Sequence, residues 1–143
     1  MSDTRMTTAE REAFLAQLHV GVLAIPSPEG APLTAPIWYA YQPGGEIEVI
    51  THKASRKGKL LEVGTAVTLV AQEEALPYRY VSVEGSVSTI RPADLETDLR
   101  PMARRYLGET GGDRYAEQSG VTDNVVVSVT PKRWLTVDYG KLS

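Results

Sequence analysis

The clearest pattern along the chain is the strict alternation of apolar and polar positions in YRYVSVEGSVSTI, residues 78–90. Val81, Val83 and Val87 alternate with serine and glutamate, the period of two that a strand with one buried face shows. Gly85 falls on the apolar side of this alternation, where a glycine often marks a β-bulge or a close approach of another backbone. We therefore predict a half-buried strand with an irregularity near its centre.

Five other segments also predict strands, because runs rich in β-branched and aromatic residues are bounded by turn residues. Pro36, inside the second of these runs, predicts an edge strand or a bulge, since proline cannot donate to a strand ladder. The fourth run is almost wholly apolar, which predicts a strand buried on both faces. In chain order the five segments are HVGVLAI, LTAPIWYAYQ, EIEVITH, AVTLVAQ and NVVVSV.

Helical patterns are fewer. A capping box of Thr7 and Glu10 opens the first predicted helix, TTAEREAFLAQL. A second, short helix is predicted in SRKGKLLEV. The longest helical pattern is RPADLETDLRPMARRYLG, with Pro92 in its first turn and a kink or break at Pro101. The glycine-rich ETGGDRYAEQSG that follows predicts a loop with at most one more helical turn.

The number and spacing of these elements indicate a fold class. Six short strands, separated by turn signals and interrupted by one helical stretch, predict a mainly β fold with short helices, a small β-barrel. Strand and helix do not alternate often enough for a doubly wound sheet. We find no linker or internal repeat, so residues 1–143 are predicted to form a single domain.

The amino-acid composition says little about the fold but excludes several kinds of chemistry. The 143 residues include no cysteine and two histidines, which excludes thiol chemistry and argues against a metal centre. The formal net charge of -3 argues against nucleic acid as a partner. No apolar run approaches the roughly 20 residues that cross a bilayer, and the N-terminus lacks the apolar core of a signal peptide. We therefore expect a cytoplasmic protein that does not use a membrane.

One segment departs from the acidic balance. ITHKASRKGKLLE places Lys53, Arg56, Lys57 and Lys59 directly after a predicted strand. Short runs of like charge are usually solvated, so spacing alone favours an ordinary exposed loop. The alternative is an anion site at the start of a helix, where cations and hydroxyl groups would surround a phosphate. The residues available for that cradle are Thr51, Ser55, Arg56 and Lys57.

Three segments, in this order, resemble motifs of the pyridoxamine 5'-phosphate oxidase-like family, the flavin-binding split β-barrels. VITHKASRKGKLLE resembles the phosphate-binding segment of that family, YRYVSVEGSVSTI its later strand, and VTPKRW its closing strand. The resemblance implies a six-stranded antiparallel split β-barrel that forms a homodimer. It also implies a cofactor bound noncovalently in a groove between the two subunits.

The resemblance further implies roles for individual residues. The cofactor phosphate would lie on Thr51, Ser55, Arg56 and Lys57, and the second strand would run along its ring. That strand would supply Thr34, Ala35, Pro36, Ile37 and Trp38.

Two strand-end residues have open interpretations from the sequence alone. Gln72 could hydrogen-bond a ring carbonyl, and Arg79 could reach an anionic tail. A strand-end glutamine exposed to water is the simpler interpretation of Gln72, and a surface arginine covering the barrel mouth explains Arg79 equally well. No catalytic side chain and no metal ligand is assigned.

Some positions depart from the family pattern. Pyridoxamine phosphate oxidases carry an arginine early in the second strand and a lysine near its end, whereas this chain has Leu33 or Thr34 and Trp38 or Tyr39 there. This difference argues against oxidation of vitamin B6. The chain is more similar to the small members of the superfamily found in actinobacteria, several of which bind the deazaflavin F420 and reduce enones, quinones or tetrapyrrole-like acceptors. We therefore expect an F420-dependent oxidoreductase with a small-molecule acceptor, with FMN as the alternative cofactor. The competing hypothesis is a carrier or sensor that binds flavin, F420 or haem without turnover.

Overall fold

The structure, a computed structural model, describes residues 3–142 and is mainly β with short helices. Seven strands form one antiparallel sheet in the order β2-β1-β5-β6-β7-β4-β3. The strands are β1 Gly21–Ile25, β2 Leu33–Ile37, β3 Tyr39–Tyr41, β4 Ile47–His52, β5 Ala66–Glu73, β6 Arg79–Pro92 and β7 Asn124–Asp138. The helices are α1 Thr8–Ala16, α2 Arg56–Leu60 and α3 Arg100–Ser119, with a π-helical turn at Leu95–Leu99 and a 3-10 turn at Tyr139–Lys141. Within residues 3–142, no helix has the length and apolar character needed to cross a membrane.

The predicted second strand is two strands, so the sheet has seven strands rather than six. β2 lies at one edge of the sheet and β3 at the other, and Trp38 alone joins them. A one-residue joint between opposite edges requires the sheet to curl until its edges meet. The sequence pattern hides this change of partner, because Ile37, Tyr39 and Tyr41 are all buried and the alternation continues unbroken through Trp38. Pro36 lies in edge strand β2, as predicted.

The core lies on the inner face of the curled sheet. Val81, Val83 and Val87 are buried there, which confirms the alternation predicted for this segment. Phe14 and Leu15 of α1 add to this core, and the predicted capping box at Thr7 is present. Strand β5 was predicted to be buried on both faces, but its outward side chains are half-buried or exposed. Its apolar outer residues instead belong to a partly exposed sheet surface.

Gly85 marks a bulge, as predicted. The register between β6 and β7 shifts between Glu84 and Gly85, and Gly85 lies opposite Pro131. A Cβ at Gly85 would meet the Thr130 carbonyl oxygen, so only glycine fits this close approach. The bulge also explains why β7 continues through Pro131 as one 15-residue strand, although the sequence predicted that the strand would end before it.

The connection between β6 and β7, which we call the helical insert (residues 95–119), differs from prediction in three places. Pro92 ends β6 instead of opening a helix, and Pro101 lies where the π-helical turn becomes α3. The break in the helix is at Gly108, whose φ of 80° is non-helical. Residues 109–119 were predicted as loop, but they are helical. Tertiary contacts described below outweigh the low helix propensity of this glycine-rich stretch.

Candidate functional site

A groove of about 500 Å³ lies where the two sheet edges meet. Its walls come from five parts of the chain: the residue before β1, the β2–β3 joint, the end of β4 with the basic loop, the helical insert, and the start of β7. The lining residues are Val20, Pro36, Ile37, Trp38, Ile50, Thr51, His52, Ser55, Lys57, Leu99, Met102, Tyr115 and Asn124.

The basic loop is a tight hydrogen-bonded turn. The Ser55 hydroxyl donates to the His52 carbonyl oxygen at 2.7 Å and accepts from the Gly58 N–H at 3.0 Å, which caps α2. The Oγ atoms of Thr51 and Ser55 are 3.2 Å apart, and Thr51 donates because the Ser55 proton is already used. Both hydroxyl protons are therefore used within the loop, and either group would have to rotate to donate to an anion.

Of the four cations in the basic segment, Lys57 is the one that lines the groove. Lys53 is paired with Asp123 at 3.4 Å, whereas within residues 3–142 Arg56, Lys57 and Lys59 form no ion pair. No aspartate or glutamate among the described residues lines the groove. The polar end of the groove therefore carries an uncompensated positive charge, which favours an anionic ligand.

His52 adds a second hydrogen-bond donor at this end. Its Nδ1 accepts from the Ala54 N–H at 3.1 Å, so the neutral ring carries its proton on Nε2. His52 is exposed and also lines the groove. Together with Lys57, it gives the groove two donors whose hydrogens are not needed to hold the loop.

The opposite wall is aromatic. The Trp38 ring stacks on Tyr106 with centroids 5.0 Å apart and planes 4° from parallel, and Tyr115 lies against it at 5.4 Å and 55°. The Tyr106 hydroxyl accepts from the Tyr39 N–H at 3.0 Å and donates to the His19 carbonyl oxygen at 2.6 Å. These bonds tie the helical insert to the joint between β2 and β3, so the position of Trp38 is fixed from both its backbone and its ring.

Six of the residues predicted for the site line this one groove: Pro36, Ile37, Trp38, Thr51, Ser55 and Lys57. Thr34 and Ala35 lie further along β2, opposite Ala24 and Leu23, and do not line it. Arg56 is exposed beside Lys57 and does not line the groove.

Gln72 and Arg79 lie elsewhere in this chain. Gln72 is exposed at the end of β5, where it pairs with Tyr80. Arg79 is paired with Glu73, and its guanidinium carbon lies 5.0 Å from the centroid of the Phe14 ring. Neither residue lines the groove.

Sequence reasoning missed several lining residues. His52 and Ile50 flank Thr51, so their place in the segment was a usable signal. Leu99, Met102 and Tyr115 gave no such signal, because their approach to the groove depends on how the helical insert folds. Tyr115 in particular lies in the stretch that was predicted to be loop.

A larger cavity, about 610 Å³, lies on the outer face of the sheet. None of the residues predicted for the site lines it. Its lining combines small and apolar residues with the Glu84–Arg133 pair, whose charged atoms are 3.6 Å apart. The 500 Å³ groove therefore remains the candidate site, since it alone combines the basic loop with the β2–β3 joint among the described residues.

Comparison with known proteins finds solved structures with a similar fold. A conserved hypothetical protein from Mycobacterium tuberculosis is 26% identical, with a TM-score of 0.79 over 99% of this chain and 91% of that chain. A protein named F420 reductase is also 26% identical, with a TM-score of 0.65 over 87% of this chain and 94% of that chain. A FAD-binding protein from Mesorhizobium loti shares the fold. It is 15% identical, with a TM-score of 0.65 over 95% of this chain and 96% of that chain.

No curated protein matches the chain. The family model described as pyridoxamine 5'-phosphate oxidase, however, matches residues 7–138, which span all seven strands. With this match and the structural neighbours together, the chain belongs to the pyridoxamine 5'-phosphate oxidase family of split-barrel proteins.

Proposed function

We propose that this protein is an oxidoreductase that binds F420 noncovalently in the 500 Å³ groove, with FMN as the alternative cofactor, and reduces a small conjugated acceptor. The observation that carries the proposal is the pairing, within one groove, of a cationic end at Lys57 with an aromatic wall at Trp38. Family membership and the 26% identical F420 reductase support it.

The residues present fit a phosphorylated planar cofactor. Lys57 and the Nε2–H of His52 offer hydrogen bonds to phosphate oxygens, with no carboxylate lining the groove within residues 3–142 to oppose them. Arg56, next along the chain from Ser55, supplies a second cation at the outer side of the loop. Pro36, Ile37 and Trp38 offer an apolar edge for a ring system.

When bound, such a cofactor supplies hydride transfer, which no side chain of this protein can perform alone. The chain binds and orients it and keeps water away. Leu99 and Met102 are buried and close the apolar side of the groove. Trp38 is held under Tyr106 and so leaves the groove open for an acceptor. We assign no catalytic acid or base.

We further propose that the protein is a homodimer that uses the outer face of the sheet. Register pairs place Pro36, Val22, Val70, Ser82 and Leu135 in one row across five strands. Val22 is 41% exposed and Leu135 61% exposed, so the row carries apolar side chains that a second copy would bury. Pro36 belongs to this row and also lines the groove, so a second copy seated here would add a wall to the site.

The deciding experiment is a parallel titration of the purified apo-protein with F420 and with FMN, followed by fluorescence. Tight F420 binding supports the proposal as stated, and turnover would then be sought with reduced F420 and a panel of enones and quinones. Preferential FMN binding supports the alternative cofactor. If a cofactor binds but no acceptor speeds oxidation of the reduced cofactor, the result favours a carrier or sensor. A titration with haem would then test whether the protein also binds haem. Binding of neither cofactor contradicts the proposal.

A further inference from the structure

The helical insert is folded back on itself so that its second half reaches the groove. The chain leaves helical geometry at Gly108 and resumes it through Ser119. Gly112 lies so close to the first half that a Cβ there would be 2.5 Å from the Arg104 Cα and N atoms. The second half therefore packs directly on the backbone of the first, and its position is tightly set.

An ion-pair bridge holds the same two halves together. Asp113 accepts hydrogen bonds from Arg100 Nη1 at 2.8 Å and from Arg104 Nε at 2.7 Å and Nη2 at 2.9 Å. The carboxylate is thus shared by two arginines on successive turns of the first half. Asp113 is the neighbour of Gly112 and lies two residues before Tyr115, so the bridge fixes the helical turn that carries Tyr115.

Tyr115 is the residue that this folding presents to the groove. Of the three groove residues contributed by the insert, Leu99, Met102 and Tyr115, only Tyr115 carries a hydrogen-bonding group. The side chain is 41% exposed, and its ring lies 5.4 Å from that of Trp38. The hydroxyls of Tyr39 and Tyr106 are both engaged with backbone carbonyls, whereas among residues 3–142 the Tyr115 hydroxyl has no partner.

We propose that Tyr115 is a binding residue that contacts the ring of the bound cofactor, and that Asp113 positions it. The proposal rests on the proposed function, since it assigns a role within the same groove. The rings of Tyr115 and Trp38 form an angled apolar surface against which a planar ring would lie, and the Tyr115 hydroxyl would meet a polar atom on the edge of that ring. Lys57 acts at the other end, on the phosphate.

Ligands with and without a phosphate separate these two ends. Riboflavin and FMN carry the same ring system, and only FMN carries a phosphate. F420 and its chromophore fragment likewise carry the same ring system, and only F420 carries the phosphate. Each Tyr115 variant should weaken the binding of both members of the preferred pair by the same factor. We expect about three- to tenfold for Tyr115→Phe, which loses the hydroxyl, and more for Tyr115→Ala, which also loses the ring. Tyr78→Ala, which removes an exposed tyrosine outside the groove, is the matched control. Dissociation constants from fluorescence titration are the measurement, with thermal unfolding to show that each variant is folded.

A double-mutant cycle tests the role of Asp113. Asp113→Asn should weaken ring binding in the wild-type background and have no effect in the Tyr115→Ala background, because it acts through Tyr115. An equal loss in both backgrounds would overturn the positioning role. If the wild type binds the ligands and the affinities of both Tyr115 variants stay within about twofold of it, the inference fails while the proposed function stands. If the wild type binds none of the four ligands, both fail.

Discussion

At the scale of single residues, the chemistry of the groove depends on which cation reaches it. Four cations lie within a few residues of each other, yet Lys53 is paired with Asp123 and Arg56 and Lys59 are exposed outside the groove. Lys57 is half-buried and lines the groove with no carboxylate beside it in the described residues. Burial strengthens its attraction for an anion, because less water screens the charge.

We therefore expect Lys57→Ala to weaken binding of a phosphorylated cofactor by about tenfold or more, since a charge-assisted hydrogen bond contributes about 1.5–3 kcal/mol. The matched control is Lys59→Ala, which removes the same charge from the same short helix outside the groove. Riboflavin affinity should be unchanged in both variants. Equal losses of FMN or F420 affinity in the two variants would show that the loop acts only through its overall charge.

At the scale of secondary-structure elements, the helical insert shows how two adjacent glycines can differ. A Cβ at Gly111 would have an ordinary contact, 3.4 Å from the Leu107 Cβ. A Cβ at Gly112 would be 2.5 Å from backbone atoms of Arg104, which cannot move aside as a side chain would. The first glycine is thus a weak point of the helix, and the second is a requirement of its packing.

Gly111→Ala is expected to stabilise the protein by up to about 1 kcal/mol, because alanine has the higher helix propensity. Gly112→Ala is expected to destabilise it by about 1–3 kcal/mol through overpacking. Urea unfolding of the two variants beside the wild type measures both changes. Similar effects of the two substitutions would contradict the close packing of the two halves of the insert.

The Asp113 bridge has a pH signature. Hydrogen bonds from Arg104 and Arg100 lower the pKa of Asp113 from 3.8 to about 2. Because the pKa is lower in the folded state, the stabilisation is fully present above about pH 4 and is lost as the pH falls through about 2. Asp113→Asn should therefore unfold at a lower urea concentration than the wild type at pH 7, and the difference should shrink between about pH 4 and 2. A difference that does not vary with pH would mean that the charge is not involved.

The prediction of elements from sequence succeeded where structure is set locally. The capping box at Thr7, the turn into α2 at Ser55 and the bulge at Gly85 depend on neighbouring residues or on one alternating pattern. The basic loop was located for the same reason. The split at Trp38 and the helix over residues 109–119 involve contacts outside each segment, since Trp38 stacks on Tyr106 and Gly112 packs on the backbone of Arg104. The lining residues of the insert could not be predicted for that reason.

At the scale of the whole molecule, the outer face of the sheet carries more apolar surface than a solvated sheet needs. The row that includes Val22, Val70 and Leu135 ends at Pro36, at the rim of the groove. A second copy on this face would bury the row and lie next to the proposed cofactor. Assembly and cofactor binding would then be linked, because each would stabilise the surface that the other needs.

Leu135→Glu is expected to shift a dimer toward monomer and to weaken cofactor binding, because a charge would be buried in the interface. Leu76→Glu is the control, since Leu76 is 78% exposed in the turn between β5 and β6, away from the row. Sedimentation velocity gives the mass of each variant, and fluorescence titration gives its affinity. A wild type that is monomeric at micromolar concentration, or a Leu135→Glu protein that remains dimeric, would contradict the dimer.

The one-residue joint at Trp38 has a mechanical consequence. Pro36 and Ile37 lie on one side of that joint, and Ile50 and Thr51 lie on β4, the neighbour of the strand on the other side. Any ligand in the groove therefore spans the seam of the barrel and acts as a noncovalent staple across it. β2 and β3 are the edge strands of the sheet, and edge strands are a known template for intermolecular pairing. The protein with an empty groove should thus be more prone to proteolysis and aggregation than the protein with a ligand bound. The supply of cofactor would then determine the lifetime of the protein as well as its activity.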